Sequence, residues 1–222
     1  MAIVDPDYNV GIKYNGISYK MKFGDYIKWY IDLAKELHRV LKDDGNMFFI
    51  NYPKHNSHLR VRYLDDACHS VNEYVWFYNI HAGSSSKKFT TAHRSILLCT
   101  KSENNKWDND AVAVDYICKI DKRIKKKIDM GSPGKTPYSW FYYDIVNNVS
   151  REKTIHPCQL PSVLIEKLIK VSTKLGDVVL VPFAGAGSEV LVAKRLGRRF
   201  IAAEVEELYV KVIMERLKKV DF

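Results

Sequence analysis

Two stretches of this chain carry side chains whose types and spacing could do chemistry. The first is Asp5-Pro6-Asp7-Tyr8-Asn9, which follows the very short apolar run Met1-Ala2-Ile3-Val4. As a strand and its turn, it offers a carboxylate and an aromatic ring at the edge where open α/β sheets bind ligands. Asp-Pro and Asn are also ordinary turn residues, so a plain polar turn fits the same residues. The second stretch starts with the apolar run Val178 to Val181 and passes through Pro182-Phe183-Ala184-Gly185-Ala186-Gly187. Helical spacing follows from Glu189 to Leu196, Gly197 stands at a C′ position, and a second strand from Arg199 to Ala203 runs into Glu204. Strand, glycine turn, helix, strand and acid can hold a nucleotide-like cofactor. The glycines let the backbone approach the ligand, and the carboxylate accepts hydrogen bonds from ribose hydroxyls. A purely structural strand-turn-helix unit fits this stretch as well. The third glycine of a dinucleotide site would fall near Val190 and is absent, which disfavours a nicotinamide-dependent oxidoreductase.

A third stretch could meet a polyanion. Lys119, Lys122, Arg123, Lys125, Lys126, Lys127 and Lys135 face only Asp121 and Asp129, and Tyr138, Trp140, Phe141, Tyr142 and Tyr143 follow at once. A solvated charged face is the ordinary account of such a run. Basic residues next to aromatic ones are also what phosphate and base contacts require, with Lys122, Arg123, Lys125, Lys126 and Lys127 as the candidate contacts.

The elements that must position these residues are legible from periodicity. Helix spacing covers 25–42, with Ile27, Tyr30, Ile31, Ala34, Leu37, Val40 and Leu41 on one stripe and Asp25 as N-cap. Further helices are expected over 55–66, from Pro161 (at N1, with the stripe Leu164, Leu168 and Val171), over 189–196 and over 206–218. Strands are expected near 2–4, 46–51, 71–78, 94–100, 177–182 and 199–204, with a polar loop over 82–88. The fold class is therefore α/β, a mostly parallel sheet with helices on both faces.

At 222 residues the chain suits one domain. Its net charge of +9 favours a polyanionic partner. No run of about 18 apolar residues predicts a membrane span, and the first residues lack a secretory signal pattern. Cys68, Cys99, Cys118 and Cys158 are scattered without a C-x-x-C pair and read as reduced thiols of a cytoplasmic protein.

Four separated segments match one family in one order. Asp5-Pro6-Asp7-Tyr8 resembles the D-P-P-Y motif of β-class DNA amino-methyltransferases, which methylate adenine N6 or cytosine N4. Leu37-His38-Arg39-Val40-Leu41-Lys42-Asp43-Asp44-Gly45 resembles R-V-L-K-P-G-G, His156-Pro157-Cys158-Gln159-Leu160-Pro161 resembles H-P-T-Q-K-P, and Pro182 to Gly187 resembles P-F-x-G-x-G. Coverage runs from Asp5 to about Leu217, and the catalytic motif precedes the cofactor loop, a circular permutation of the Rossmann-like methyltransferase fold. The resemblance implies one domain: a catalytic half over 1–100, a variable target-recognition segment over 101–150 and a cofactor half over 151–222. The strand near 2–4 should then lie beside 177–182, bringing Asp5 and Gly185 to one edge. The family normally has one more strand upstream, so one sheet edge is expected to lack a strand.

For function, the resemblance implies S-adenosylmethionine-dependent methylation of a base amine in double-stranded DNA, as in restriction-modification systems, with the target base flipped out and room for a homodimer. Asp5, Pro6 and Tyr8 take the catalytic positions. His156, Cys158, Gln159, Pro182, Phe183, Gly185, Gly187 and Glu204 take the cofactor positions, with no metal and no covalent intermediate. Adenine N6 is preferred because the motif opens with Asp5 and not serine, with cytosine N4 as the alternative. Asp7 replaces the second proline, which should loosen the turn and add a charge. Val181 replaces an aspartate near the cofactor's methionine part, which should weaken its binding. These departures motivate the competing reading, a degenerate methyltransferase-like DNA-binding subunit.

Overall fold

The structure is a computed structural model that describes residues 1–79, 86, 87 and 89–220. The loop expected over 82–88 falls almost wholly outside the described residues. In chain order the elements begin with β1 (Ala2–Val4), the hairpin β2 (Lys13–Tyr14) and β3 (Ile17–Ser18), α1 (Phe23–Val40) and β4 (Asn46–Asn51). Next, α2 (Pro53–Leu59) runs through a π-turn (Arg60–Leu64) into α3 (Asp65–Ala67), followed by β5 (Ser70–Phe77) and β6 (His93–Thr100). Then come a 3-10 turn (Asp110–Val112), α4 (Lys122–Asp129), β7 (Trp140–Tyr142), α5 (Ser162–Ser172), β8 (Val178–Val181), α6 (Ser188–Arg195), β9 (Arg199–Ala202) and α7 (Glu207–Lys218).

Among the described residues, seven strands form one sheet in the order β7-β5-β6-β4-β1-β8-β9. The pairs β1/β4, β1/β8, β8/β9 and β5/β7 are parallel, and β4/β6 and β5/β6 antiparallel. The expected neighbour relation holds: Ala2 pairs with Leu180 in the middle of the sheet. Period-two alternation divides the buried strands between two cores. Ala2, Val4, Met47 and Phe49 pack beneath Tyr26, Tyr30 and Leu37 of α1, whereas Ile3, Phe48 and Ile50 pack against Leu164 and Leu168 of α5 and Val190 of α6.

Several boundaries depart from the sequence expectations. Lys22, not Asp25, is the N-cap of α1, so Asp25 sits in the first turn. Val40 ends α1 at 52% exposure instead of joining the buried stripe. Pro161 is the N-cap of α5, its extended ψ of 131° lying outside the helix. β7 was not expected as a strand; Trp140 to Tyr142 extend the sheet beyond β5, burying Phe141 and leaving Trp140 and Tyr142 exposed.

The glycines after β8 shape both the loop and the helix behind it. Gly197 has φ +70° and closes α6 by a Schellman pair, its N–H reaching Lys194 O at 2.9 Å and that of Arg198 reaching Ala193 O at 2.8 Å. Gly187 caps the start of α6 at φ +77°, and a Cβ there would lie 2.8 Å from Ile213 Cγ1 on α7. Gly187→Ala should therefore cost about 2–4 kcal/mol in urea unfolding, from the left-handed backbone and the clash together. In an Ile213→Ala background the added cost should shrink to about 1–2 kcal/mol. Equal costs in both backgrounds would show that Ile213 does not enforce the glycine.

Candidate active site

The carboxyl ends of β1, β8 and β9 open into one cavity of about 560 Å³. Its wall includes Asp5, Pro6, Asp7 and Tyr8 from the turn after β1 and Pro182, Phe183, Gly185 and Ala186 from the glycine loop. His156, Cys158 and Gln159 reach it from the segment before α5, and Glu204 and Glu206 from the turn after β9.

The β1 turn is tightly held. Tyr8 Oη donates to Asp5 Oδ1 at 2.5 Å, and Asn9 N donates to Asp7 Oδ1 at 2.7 Å. Asp7 therefore closes the turn as an Asx turn, and the loosening expected from the missing proline does not occur. Tyr26 of α1 donates its hydroxyl to Asp7 O at 2.7 Å and accepts from Asn51 Nδ2 at 2.9 Å, tying the turn to the ends of α1 and β4. Behind Tyr8 lies Arg94 of β6, its guanidinium 4.9 Å from the Tyr8 ring and 3.9 Å from that of Tyr52. It donates to the hydroxyls of Tyr52 and Tyr78 and has no carboxylate within ion-pair reach among the described residues. Burial pushes the Asp5 carboxyl up to about 7, against the opposing pull of the Tyr8 hydroxyl and Arg94.

The glycine loop is equally determined. Gly185 has φ +48°, and a Cβ on it would come within 3.0 Å of the His156 ring, so the H-P-C-Q segment and the loop touch at a position that only glycine fits. Gly185 N donates to Glu204 Oε2 at 2.7 Å and Glu206 N to Glu204 Oε1 at 2.9 Å. Glu204 thus fixes the loop and its own turn, and its remaining lone pairs are available to a ligand. His156 is buried edge-on to Tyr209, and burial pushes it down to about 4, so it is neutral near pH 7.

Not every expected ligand contact survives. Gly187 is absent from the cavity wall; its role is the α6 cap against Ile213. Gln159 reaches the wall, but its Oε1 accepts from Thr154 N and Oγ1 and its Nε2 donates to Glu152 O, so its amide serves the loop before α5. Lys122, Arg123, Lys125, Lys126 and Lys127 form the exposed helix α4, N-capped by Asp121, and none lines the cavity. Arg123 is also paired with Asp121 at 3.1 Å.

Three features of the site escaped sequence reasoning. The β2–β3 hairpin straps the cavity: Tyr19 Oη donates to Glu206 Oε1 at 2.6 Å and Asn15 Nδ2 to Glu206 Oε2 at 3.2 Å, holding that carboxyl below its ordinary value. Its signal was the dipeptide Asn15-Gly16, whose φ angles of 48° and 85° suit a type I′ turn. Arg94 gave no local signal. Glu189, in the first turn of α6, is only 4% exposed and lines the cavity, where burial and then the Asp5 charge push its carboxyl up to about 8. Buried polar atoms without a hydrogen-bond partner also border the space: Asp7 Oδ2, His156 Nδ1 and Ser188 Oγ.

A carboxylate turn and a glycine loop at neighbouring strand ends place this site in the ligand crevice of an open α/β sheet. The chain belongs to the N6/N4 DNA methylase family, which matches residues 1–215. It is 31% identical over 230 residues to the type II methyltransferase M.BglII of Bacillus subtilis, covering 98% of this chain and 63% of that longer relative. It is 29% identical over 227 residues to the DNA adenine methyltransferase YhdJ of Escherichia coli (strain K12), covering 98% and 75%. Among solved structures, the PvuII DNA methyltransferase (cytosine-N4-specific) superposes with a TM-score of 0.70 at 18% identity, over 97% of this chain and 77% of that one, a likeness of fold. Among the described residues no helix is long and apolar enough to cross a membrane, and all four cysteines are free.

Glu189 makes the pH dependence of stability testable. Its folded carboxyl titrates near 8 and an unfolded glutamate near 4.3, so between those values the folded state holds the extra proton and stability falls as pH rises. Glu189→Gln removes that loss. Without ligand, the variant should melt about 8–18 °C above wild type at pH 8, corresponding to about 4–5 kcal/mol. The difference should vanish near pH 4, and calorimetry showing the same offset at both pH values would refute the assignment.

Proposed function

We propose that this chain transfers a methyl group from S-adenosylmethionine to the exocyclic amine of a flipped-out DNA base, adenine N6 in preference to cytosine N4. The observation that carries this reading is the single cavity that unites the Asp5–Tyr8 turn with the Gly185 loop. The residues present fit the cofactor: unpartnered polar atoms border the space, Gly185 leaves room for a close approach, and the wall bears carboxylates for a cationic ligand. His156, Phe183, Gly185 and Glu204 would hold it, Glu204 towards the ribose. When bound, it supplies an electrophilic methyl on a sulfonium.

The amine of a base is a poor nucleophile because its lone pair is delocalised into the ring. Asp5 Oδ2, the oxygen that Tyr8 leaves free, and the Pro6 carbonyl oxygen accept the two amine hydrogens and favour the tetrahedral nitrogen. Asp5 also stabilises the positive charge that develops on nitrogen. Tyr8, with Arg94 and Tyr52 behind it, is the surface on which the base stacks. The preference for adenine rests on the carboxylate at position 5, and the name of the relative YhdJ supports it.

Asp5 must be ionised to accept both the hydrogen bond and the charge. The single-turnover rate should therefore rise with pH up to a limb at or below about 7, because a bound cation lowers the Asp5 pKa. Asp5→Asn should lose at least about 100-fold in that rate with DNA affinity nearly intact. Digestion of the product to nucleosides should yield N6-methyladenosine; N4-methylcytidine would refute the preferred base, and near-wild-type transfer by Asp5→Asn would remove the catalytic role.

The exposed lysines of α4 stand apart from the cavity and suit phosphate contacts outside it. Changing Lys125, Lys126 and Lys127 together to alanine should reduce the slope of log affinity against log salt by roughly 0.9 for each phosphate no longer neutralised, with cofactor binding unchanged. An unaltered slope would make them a solvated face.

A further inference from the structure

The cavity is acidic in a basic protein. Five carboxylates line it (Asp5, Asp7, Glu189, Glu204 and Glu206) and, among the described residues, no lysine or arginine does, although the chain has 35 basic against 26 acidic side chains. Four of the five are committed elsewhere. Asp5 holds the Tyr8 hydroxyl and faces the amine, Asp7 closes its turn, Glu204 holds two backbone amides and Glu206 holds the hairpin. Glu189 remains. It is only 4% exposed, and no cation among the described residues comes within ion-pair distance. Arg216 of α7 is the cation whose charge reaches it, but its Nη1 donates to Ala186 O at 2.5 Å. Next to Glu189 in the chain, Ser188 is 1% exposed and its Oγ is unpartnered.

A buried carboxylate without a cation costs several kcal/mol unless it carries a proton or a ligand supplies the charge. No group of three His, Cys, Asp or Glu among the described residues is arranged to hold a metal ion, so an organic cation is the better match. Given S-adenosylmethionine as the cofactor, the reading on which this inference rests, two cations are available. On that reading the sulfonium would present its methyl to Asp5 and Pro6, and Glu204 would hold the ribose end. The remaining cation is the α-ammonium, and the remaining acid is Glu189. Val181, at the position where the family resemblance expects an aspartate, is wholly buried and takes no part in the cavity wall.

We propose that Glu189 receives the α-ammonium of the cofactor's methionine part, replacing from the first turn of α6 the carboxylate that position 181 lacks. The titratable groups around it are Asp5 on the β1 turn, Arg216 on α7 and, on the cavity wall, Asp7, Glu204, Glu206, His156, Cys158 and the hydroxyls of Tyr8, Tyr14, Tyr19, Tyr26 and Tyr209. A cation bound there returns the Glu189 carboxyl, raised to about 8 when the cavity is empty, to its ionised form and releases a proton at pH 7.

The test is titration calorimetry of wild type and Glu189→Gln at pH 7, in two buffers of different protonation enthalpy. The ligands are S-adenosylmethionine, S-adenosylhomocysteine, which keeps the ammonium but has no sulfonium, and 5′-methylthioadenosine, which has neither. The variant should bind the first two about 10- to 100-fold more weakly, by a common factor, and the third within about twofold of wild type. Wild type should also release up to about one more proton than the variant on binding either amino-acid ligand. Unchanged affinity of the variant for S-adenosylmethionine overturns the proposal. A loss confined to S-adenosylmethionine overturns it in favour of the sulfonium, and an equal loss for all three overturns it in favour of a collapsed pocket. Wild type that binds none of the three overturns the cofactor reading itself, a result distinct from all of these.

Discussion

Everything at the site depends on the pairing of a three-residue strand. Ala2–Val4 lies between β4 and β8, with Val4 opposite Phe49 and Ala2 opposite Leu180. Both faces of β1 are buried, so its register is set by packing as well as by hydrogen bonds. Ile3 belongs with α5 and α6, whereas Ala2 and Val4 belong with α1. A slip of one residue would exchange these sets and place Ile3 in a space shaped for alanine and valine. It would also shift Asp5 by about 3.3 Å along the sheet, roughly the length of a hydrogen bond, which is enough to separate it from the cavity it shares with Gly185. The geometry of the candidate site is therefore a consequence of core packing here.

Much of this was legible in the sequence because parallel strands buried on both faces appear as uninterrupted apolar runs. Val178–Val181 and residues 47–50 are such runs, and both form central strands. The glycine loop and the Asp5–Tyr8 turn were legible by type and spacing, and His156 through the family resemblance, and they meet in one cavity. The features that escaped depend on tertiary closure. Glu189 looks like an acid in the first turn of a helix, where the dipole ordinarily favours it at the surface. Its burial arises because α7 and the β1 turn close over that end of α6, a contact no local pattern contains. Arg94 is one cation at the start of a strand, and only the fold surrounds it with Tyr8, Tyr52 and Tyr78. β7 was obscured because three aromatic residues after a basic run suit a surface as well as a strand. The structure uses them for both, burying Phe141 and exposing its neighbours.

The replacement of proline by Asp7 shows how an expected defect can become a support. Proline stiffens a turn by fixing φ, whereas an aspartate closes it by accepting the amide two residues on. Asp7 Oδ1 does this for Asn9, and Asn9 in turn binds both the amide and the carbonyl of Met21, so the turn is anchored to the segment that leads into α1. The added negative charge does not stand alone. It joins an acidic wall whose members Asp5 and Glu189 are already pushed upward, so the empty cavity favours protonated carboxyls and lies below the stability that a neutral wall would give. Sites that bind cations tightly carry this cost in the free state.

The opposite signs of cavity and surface also constrain how DNA can approach. The phosphate backbone carries a charge about every 1.7 Å of duplex, and an acid-lined cavity repels it. The exposed lysines of α4, none of which lines that cavity, would attract it. A base, by contrast, is neutral and offers amine hydrogens that carboxylate and carbonyl oxygens can accept. On the proposed function, charge alone would sort the nucleotide into parts, with phosphates at the basic surface and only the base entering between Tyr8 and the glycine loop. Such sorting requires the base to leave the helix, because a stacked base keeps its phosphates too close for the two fields to act separately. On that proposal the electrostatic layout and base flipping are one requirement, which a carboxylate set inside and a lysine set outside would meet.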